Sequence, residues 1–150
     1  MEASIATPVV DAETEEYWAA VAREELHIPW CAQCGRSFFY PRSFCPRCWS
    51  EDVTLRPSSG RGCVYSYTII RRTGVSPFDA WVPYVLAVIE LEDEKVRMLS
   101  HVRGIDPAEV SIGMAVAVGF ADIGGGRAVP VFSPRGAAAP NERSDPEQLA

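Results

Sequence analysis

The chain has 150 residues and a formal net charge of −6, with 14 basic against 20 acidic side chains, and 47% of its residues are hydrophobic. This composition suits one ordinary globular domain, or two small modules of which one depends on a metal ion. The acidity argues against a nucleic-acid polymer as partner, because phosphate-backbone binding needs a basic face and Lys95 is the single lysine. No apolar run reaches the roughly 20 residues that span a bilayer and no signal pattern opens the chain, so we expect a cytoplasmic protein without a membrane partner.

Residues 1–26 are predicted to form an extended arm followed by one helix. Asp11 or Thr14 can cap the helix, and acidic residues follow near its positive N-terminal end. Helical spacing gives it an apolar face made of Tyr17, Trp18, Val21 and Ala22. We expect the helix to end near Leu26, with this face packed on the core or docked on another subunit.

Two C-x-x-C knuckles separated by ten residues lie in the next segment, 27–59, and they predict a zinc ribbon. The four candidate ligands are Cys31, Cys34, Cys45 and Cys48. A tetrahedral Zn²⁺ site needs four soft thiolates that converge from two directions, and each knuckle supplies two of them. A redox pair or a disulfide framework fits paired knuckles poorly, whereas iron is an alternative occupant of the same four sulfurs. Four cysteine ligands leave no open position, so the predicted zinc is structural, and the loaded protein carries a charge of about −8.

Three short strands are predicted to frame the knuckles, over 27–30, 37–40 and 53–56. His27 precedes the first cysteine closely, but four cysteines already complete the site, and we interpret His27 as a surface residue or a neighbour of the ligands. Arg36, Arg42 and Arg47 can form a basic patch within the ribbon, suited to a small phosphorylated ligand or to the rim of a partner protein. A turn signal over 57–60 marks the end of the ribbon.

The segment 60–134 has the pattern of a β-barrel. Strands are predicted over 64–70, 84–91, 96–102, 114–120 and 128–132, with a capped helical turn over 106–110 between the third and fourth. Three strands, a short helix and two strands is the order of an OB-fold. The predicted fold is therefore mainly β with an N-terminal helix: a four-cysteine zinc ribbon followed by a five-stranded OB-fold barrel. Residues 135–150, rich in alanine, proline and charge, are predicted to be a flexible tail.

The loop from Arg71 to Pro83, between the first two barrel strands, is the best functional candidate after the ribbon. It is long and apolar for a solvated hairpin, and apolar residues on such loops commonly mark a contact surface. The candidate contact residues for a partner or an acyl-CoA channel are Arg71, Arg72, Phe78, Trp81 and Tyr84. In the alternative interpretation, Phe78 and Trp81 fold back to cap the barrel.

We predict no catalytic residue in this chain. Outside the four metal ligands, the candidates for a cysteine nucleophile and a histidine base are Cys63, His27 and His101. No histidine lies near Cys63 in the sequence. Core packing is the favoured role for Cys63, and a hydrogen-bonded position in the barrel is favoured for His101.

Nucleic-acid binding is the alternative function, since zinc ribbons and OB-folds both serve it, and Tyr65, Tyr67, Phe78 and Trp81 could stack on bases. The acidic residues on and after the second barrel strand, Glu90, Glu92, Asp93 and Glu94, oppose it because an electrostatic funnel needs Arg or Lys there.

Over residues 17–134 the chain resembles domain-of-unknown-function family 35, which pairs an N-terminal helix and a rubredoxin-like zinc ribbon with an OB-fold. The matching segments are the four cysteines, Tyr40-Pro41-Arg42, Cys45-Pro46-Arg47-Cys48, Ser59-Gly60-Arg61-Gly62, Pro83-Tyr84, Ile112-Gly113-Met114 and Pro130-Val131-Phe132.

The resemblance implies a non-catalytic subunit that associates in a hetero-oligomer with a thiolase-fold enzyme acting on acyl-CoA substrates by carbon–carbon cleavage or formation. It also implies a coenzyme A thioester near the shared subunit interface. In some relatives the unit is fused to a hydratase-like hotdog domain, which this sequence lacks.

Overall fold

The computed structural model describes residues 7–76 and 78–136, which form one α-helix, a three-stranded ribbon sheet and a closed five-stranded barrel. The predicted fold class is confirmed. Most of the expected arm and tail, residues 1–6 and 137–150, lies outside the described residues. Within the described ranges, no helix is long and apolar enough to cross a membrane.

Helix α1 spans Glu15–Ala22 and is shorter than the sequence predicts. Thr14 precedes it as the N-cap residue, and the N–H of Glu15 donates to the carbonyl of Asp11 at 2.9 Å. The prediction that the helix continues to Leu26 is wrong, because Glu24 adopts a left-handed conformation with φ of 61° and turns the chain. The buried residues of α1 are Tyr17, Ala20 and Val21, whereas Trp18 is half-buried and Ala22 is exposed.

The ribbon sheet is antiparallel with strand order β2-β1-β3. The strands are β1 (His27–Cys31), β2 (Arg36–Ser37) and β3 (Val53–Pro57). The prediction of a strand over 37–40 is wrong beyond Ser37, because the next residues face different neighbours. Phe38 is buried in the cluster around the cysteines, while Phe39 packs edge-on against Tyr17 of α1.

The barrel is closed, with strand order β4-β5-β6-β8-β7. The strands are β4 (Arg61–Ile70), β5 (Tyr84–Leu91), β6 (Arg97–Val102), β7 (Ala115–Gly124) and β8 (Arg127–Pro134). The predicted helical turn is a 3₁₀ turn at Pro107–Glu109, capped by Asp106, whose Oδ1 accepts a 2.8 Å hydrogen bond from the N–H of Ala108. Strands β7 and β8 are longer than predicted because they pair along most of their length as one hairpin.

Strands β6 and β8 form the weakest junction of the barrel. In the described part of the chain their parallel register is a single pair, Val102 with Phe132. Beyond this pair a side chain bridges the two strands, as Ser100 Oγ donates to the carbonyl of Pro130 at 2.9 Å. One backbone pair and one side-chain hydrogen bond therefore close the barrel at this seam.

One apolar core joins the helix, the ribbon and the barrel. Tyr17 and Val21 of α1 and Ile28 of β1 belong to the same buried cluster as barrel residues such as Ile89 and Phe132. Each of these side chains is at most 3% exposed. Because a ribbon of this size has little core of its own, this shared burial holds it against the barrel.

Gly60 makes the passage from the ribbon into the barrel possible. It has φ of +68°, and a Cβ atom at this position would lie 2.1 Å from Cγ1 of Val118. The carbonyl of Gly60 also accepts a 2.9 Å hydrogen bond from the N–H of Val118, so the two backbones cannot separate freely. Only glycine satisfies both the conformation and the close approach.

We expect Gly60→Ala to lower the free energy of unfolding by about 2–5 kcal/mol, from left-handed strain plus overpacking. Gly113→Ala is the matched control, because Gly113 has φ of +84° but no atom within 4 Å of an added Cβ. The control should lose only about 1–2 kcal/mol. Urea unfolding of both variants measures the difference, and equal losses would contradict a role for the contact with Val118.

Candidate functional site

The four predicted ligands converge on one point. The sulfurs of Cys31, Cys34, Cys45 and Cys48 all lie within 4.8 Å of one another. The Sγ–Sγ distance is 3.6 Å between Cys31 and Cys48 and 3.7 Å between Cys34 and Cys45. Zinc–sulfur bonds of about 2.3 Å in a tetrahedron require sulfurs about 3.8 Å apart. The cysteines therefore form a site that fits a structural zinc ion, with no position left for water or substrate.

Tight turns hold the ligands in place. In the first knuckle the N–H of Gly35 donates to the carbonyl of Cys31 at 2.9 Å, and in the second the N–H of Trp49 donates to that of Cys45 at 3.0 Å. Cys31 and Cys45 are buried, Cys34 is half-buried and Cys48 is exposed. The metal site is thus buried at Cys31 and Cys45 and exposed to solvent at Cys48.

The surroundings shift the pKa values of the thiols in opposite directions. Burial opposes ionisation of Cys45, but hydrogen bonds from the N–H groups of Arg47 and Cys48 lower the pKa of its thiol to about 6. Burial and the neighbouring sulfurs raise the pKa of Cys34 to about 12. Four thiolates cannot coexist at this spacing without a cation, and Zn²⁺ supplies that charge.

Two aromatic rings of the ribbon are strongly exposed. Trp49 is 73% exposed and its ring stacks on Phe44, with centroids 5.3 Å apart and planes at 12°. Tyr40 is 59% exposed. Large exposed aromatic side chains commonly serve as anchors at protein interfaces.

A basic pocket of about 480 Å³ lies between the ribbon and the β5–β6 turn. The charged residues that line it are Arg36, Arg47, Arg56, Lys95, Asp93 and Glu94. Arg36 and Arg47 belong to the patch predicted from sequence, whereas Arg42 does not line the pocket. Arg56, which stacks on Trp30 at 3.2 Å, and Lys95 were not anticipated, because they come from β3 and from the β5–β6 turn.

An apolar cavity of about 370 Å³ lies on the outer face of the barrel. It is bounded by β5, β6 and β8, by the loop over 71–83, by α1 and by residues 39–41 of the ribbon. The sequence gives no direct sign of this cavity, since its walls come from segments that lie far apart in the chain.

The loop residues predicted for partner contact divide into two groups. Phe78 and Trp81 are half-buried and pack edge-to-face, with ring centroids 4.9 Å apart. Phe78 also lies 6.4 Å from Tyr84, so these aromatics fold back onto the barrel, as in the alternative interpretation. Arg71 and Arg72 are exposed.

The remaining candidate side chains are not brought together. Cys63 is half-buried on β4 and lies outside the apolar core. His101 is on the outer face of β6, where its ring stacks on Tyr84 with centroids 5.0 Å apart. Burial and the nearby charge of Arg103 lower the pKa of His101, so its imidazole is neutral at pH 7. His27 is half-buried, with Nε2 3.3 Å from a carboxylate oxygen of Glu25.

Family models match both parts of the chain. The ChsH2 rubredoxin-like zinc ribbon domain matches residues 18–54, and the ChsH2 C-terminal OB-fold domain matches residues 55–121. Together they cover the second half of α1, the metal site and most of the barrel.

Three relatives have informative names. A DUF35 domain-containing scaffold protein of Methanothermobacter thermautotrophicus is 36% identical over 72% of this chain and 81% of its own length. A probable enoyl-CoA hydratase alpha subunit of Thermomonospora curvata is 31% identical over 91% of this chain, which spans only 41% of that relative. The benzoylsuccinyl-CoA thiolase subunit BbsA of Thauera aromatica is 30% identical over 55% of this chain and 60% of its own.

A chain of the Ltp2-ChsH2(DUF35) aldolase is similar in structure, with a TM-score of 0.77, 30% identity, and coverage of 85% of this chain and 98% of that one. The chain belongs to the DUF35 family, with its ChsH2-type zinc ribbon and OB-fold.

Proposed function

We propose that this chain is a non-catalytic zinc-binding subunit that associates with a thiolase-fold enzyme and supports its carbon–carbon bond cleavage or formation on acyl-CoA substrates. The observation that carries the proposal is the match of ribbon and barrel together to nearly the whole of a chain of the Ltp2-ChsH2(DUF35) aldolase. The relation to a benzoylsuccinyl-CoA thiolase subunit supports the same class of partner.

The nucleophile and base belong to the partner in this proposal. Thiolase-type cleavage needs a cysteine with a histidine in reach. Cys63 pairs with Glu90 on β5 and His101 pairs with Leu86, so four residues of β5, about 13 Å, separate them. His27 lies in the ribbon sheet, where its strand β1 pairs with β3 and not with a strand of the barrel. This separation supports a role in assembly and substrate positioning.

The ribbon and α1 dock the catalytic subunit, with the exposed Trp49 as an anchor. The exposed side chains of the 71–83 loop lie at the edge of an acyl-CoA channel, where Arg71 and Arg72 can meet a phosphate or a partner carboxylate. Val75, 60% exposed on the same loop, adds an apolar contact. Phe78 and Trp81 position this loop by packing on the barrel.

The basic pocket is the part of this chain best suited to the phosphates of a coenzyme A thioester. Its four cations exceed its two carboxylates on a chain that is acidic as a whole. Arg36 and Arg47 reach it from the ribbon, so a docked partner would place the thioester between the two subunits. Phosphate binding by arginine is favoured by its planar, bidentate geometry.

The covered OB face weighs against the nucleic-acid alternative. OB-folds bind strands across the second and third strands and the adjoining loops. Here α1 and the ribbon cover part of that face, and Tyr17 and Phe39 fill the space where bases would stack. Salt-dependent binding of a labelled oligonucleotide by the purified chain would favour the alternative.

We expect Cys31→Ser to lose zinc and complex formation together, because the ribbon depends on all four thiolates. Co-expression with the thiolase-like partner, affinity pulldown, zinc analysis and an acyl-CoA cleavage or synthesis assay measure both effects. Cys63→Ser is the matched control and should leave partner activity nearly intact. A large loss of activity in Cys63→Ser with normal assembly would overturn the non-catalytic assignment.

Trp49→Ser should weaken the complex by roughly thirty-fold or more, the loss typical of an aromatic anchor at an interface. Ile112→Ser serves as the control, since Ile112 is 71% exposed but lies before β7, away from the ribbon. Surface plasmon resonance with the immobilised partner gives both affinities. Unchanged binding by Trp49→Ser would show that the partner docks elsewhere.

The double variant Arg36→Gln/Arg47→Gln should raise the KM for the acyl-CoA substrate roughly threefold to tenfold in the assembled complex, with kcat little changed. Arg127→Gln, an exposed arginine of the β7–β8 hairpin, is the control. Steady-state kinetics separates the two parameters. An unchanged KM in the double variant would exclude this pocket as the phosphate site.

A further inference from the structure

The apolar cavity lies on the face that OB-folds use for ligands. That face consists of the second and third strands, the loop between the first two strands and the loop between the last two. In this chain Leu86 of β5 and Leu99 of β6 form its floor, Phe78 and Trp81 come from the first loop, and Ile123 comes from the last hairpin.

Helix and ribbon reduce this face to the size of a small molecule. The rings of Tyr17, Trp18 and Phe39 form a wall, with centroids 5.1 Å apart for the first pair and 5.8 Å between Tyr17 and Phe39. The volume of about 370 Å³ lies in the range of small-ligand pockets, roughly 300–1,000 Å³. An engineered apolar cavity of about 150 Å³ holds benzene, so this cavity has room for a molecule about twice that size.

The seam between β6 and β8 lies at the base of the cavity. Phe132 belongs to the barrel core, so Val131 beside it faces outward, where it is buried beneath the cavity. Met98, a core residue of β6, also reaches the cavity near this seam, where β6 and β8 share the single pair Val102 with Phe132. The cavity is therefore a depression in the outer barrel face with a buried apolar base.

One end of the cavity is cationic. Arg103 lines it, is half-buried, and has a lowered pKa because burial disfavours its charge. Over residues 7–76 and 78–136, no carboxylate lies within 4.0 Å of the Arg103 side chain, and the other arginines in these ranges are exposed. A partly desolvated guanidinium without an anion is unfavourable unless a ligand supplies one.

We propose that this cavity binds a small apolar molecule that carries one carboxylate. The apolar body lies between Leu99 and the ring wall, and the carboxylate pairs with the guanidinium of Arg103. This binding activity belongs to the chain itself and does not require assembly with a catalytic subunit. Failure of complex formation and failure of ligand binding are thus separate results.

Isothermal titration of the zinc-loaded full chain with octanoate and with 1-octanol tests the proposal. We expect saturable one-to-one binding of octanoate, tighter than that of octanol, and a change in the fluorescence of Trp18 and Trp81. Arg103→Gln should weaken octanoate binding roughly ten- to one-hundred-fold and leave octanol binding nearly unchanged. Arg61→Gln removes a charge away from the cavity and should alter neither.

A second variant tests the place of binding. Leu99 is 52% exposed, so Leu99→Trp can fill the cavity without disturbing the core, and it should abolish binding of both ligands with an unchanged melting temperature. Ile112→Trp adds the same bulk elsewhere and should bind normally. If Arg103→Gln fails to fold, Leu99→Trp and the comparison of octanoate with octanol still test the proposal. Absence of octanoate binding, equal affinity for the two ligands, or normal binding by Leu99→Trp would each overturn the proposal.

Discussion

Strand β1 ties the metal site to the barrel, and the arrangement of the whole chain depends on this connection. Ile28 is fully buried in the core shared with α1 and the barrel, while Cys31, three residues later, is buried in the small cluster of metal ligands. The ribbon is too small to hold its shape by apolar burial alone, so the metal supplies the rigidity. The zinc site thereby fixes the direction in which β1 enters the core and the position of the residues that cover the barrel.

The covering of one barrel face changes what an OB-fold can do. An open face offers a track for a polymer, whereas here Tyr17, Trp18 and Phe39 narrow it to an apolar cavity of about 370 Å³. This packing of the ribbon on the barrel also leaves the part of the ribbon around Trp49 exposed to solvent. This small and acidic chain therefore carries an exposed aromatic surface, a basic pocket and an apolar cavity.

The sequence predicts those features that depend on local pattern. The metal ligands come from two short turns, and their spacing in the sequence is enough to identify them. The nearly continuous apolar run over 84–91 likewise predicts the bounds of β5, Tyr84–Leu91. The end of α1 was mispredicted because Glu24, and not a glycine, takes the left-handed conformation. Alternation along β6 places Leu99 and His101 on one face, but only tertiary packing shows that α1 and the ribbon cover it. The basic pocket likewise needs Arg56 and Lys95 to be brought beside Arg36.

The seam between β6 and β8 also bears on motion. Separating these strands further breaks one backbone pair and the hydrogen bond from Ser100 to Pro130, whereas lifting α1 away would expose Tyr17 and Val21 from the main core. Local opening therefore costs least at the seam. The base of the cavity can therefore change in depth while α1 stays packed on the main core.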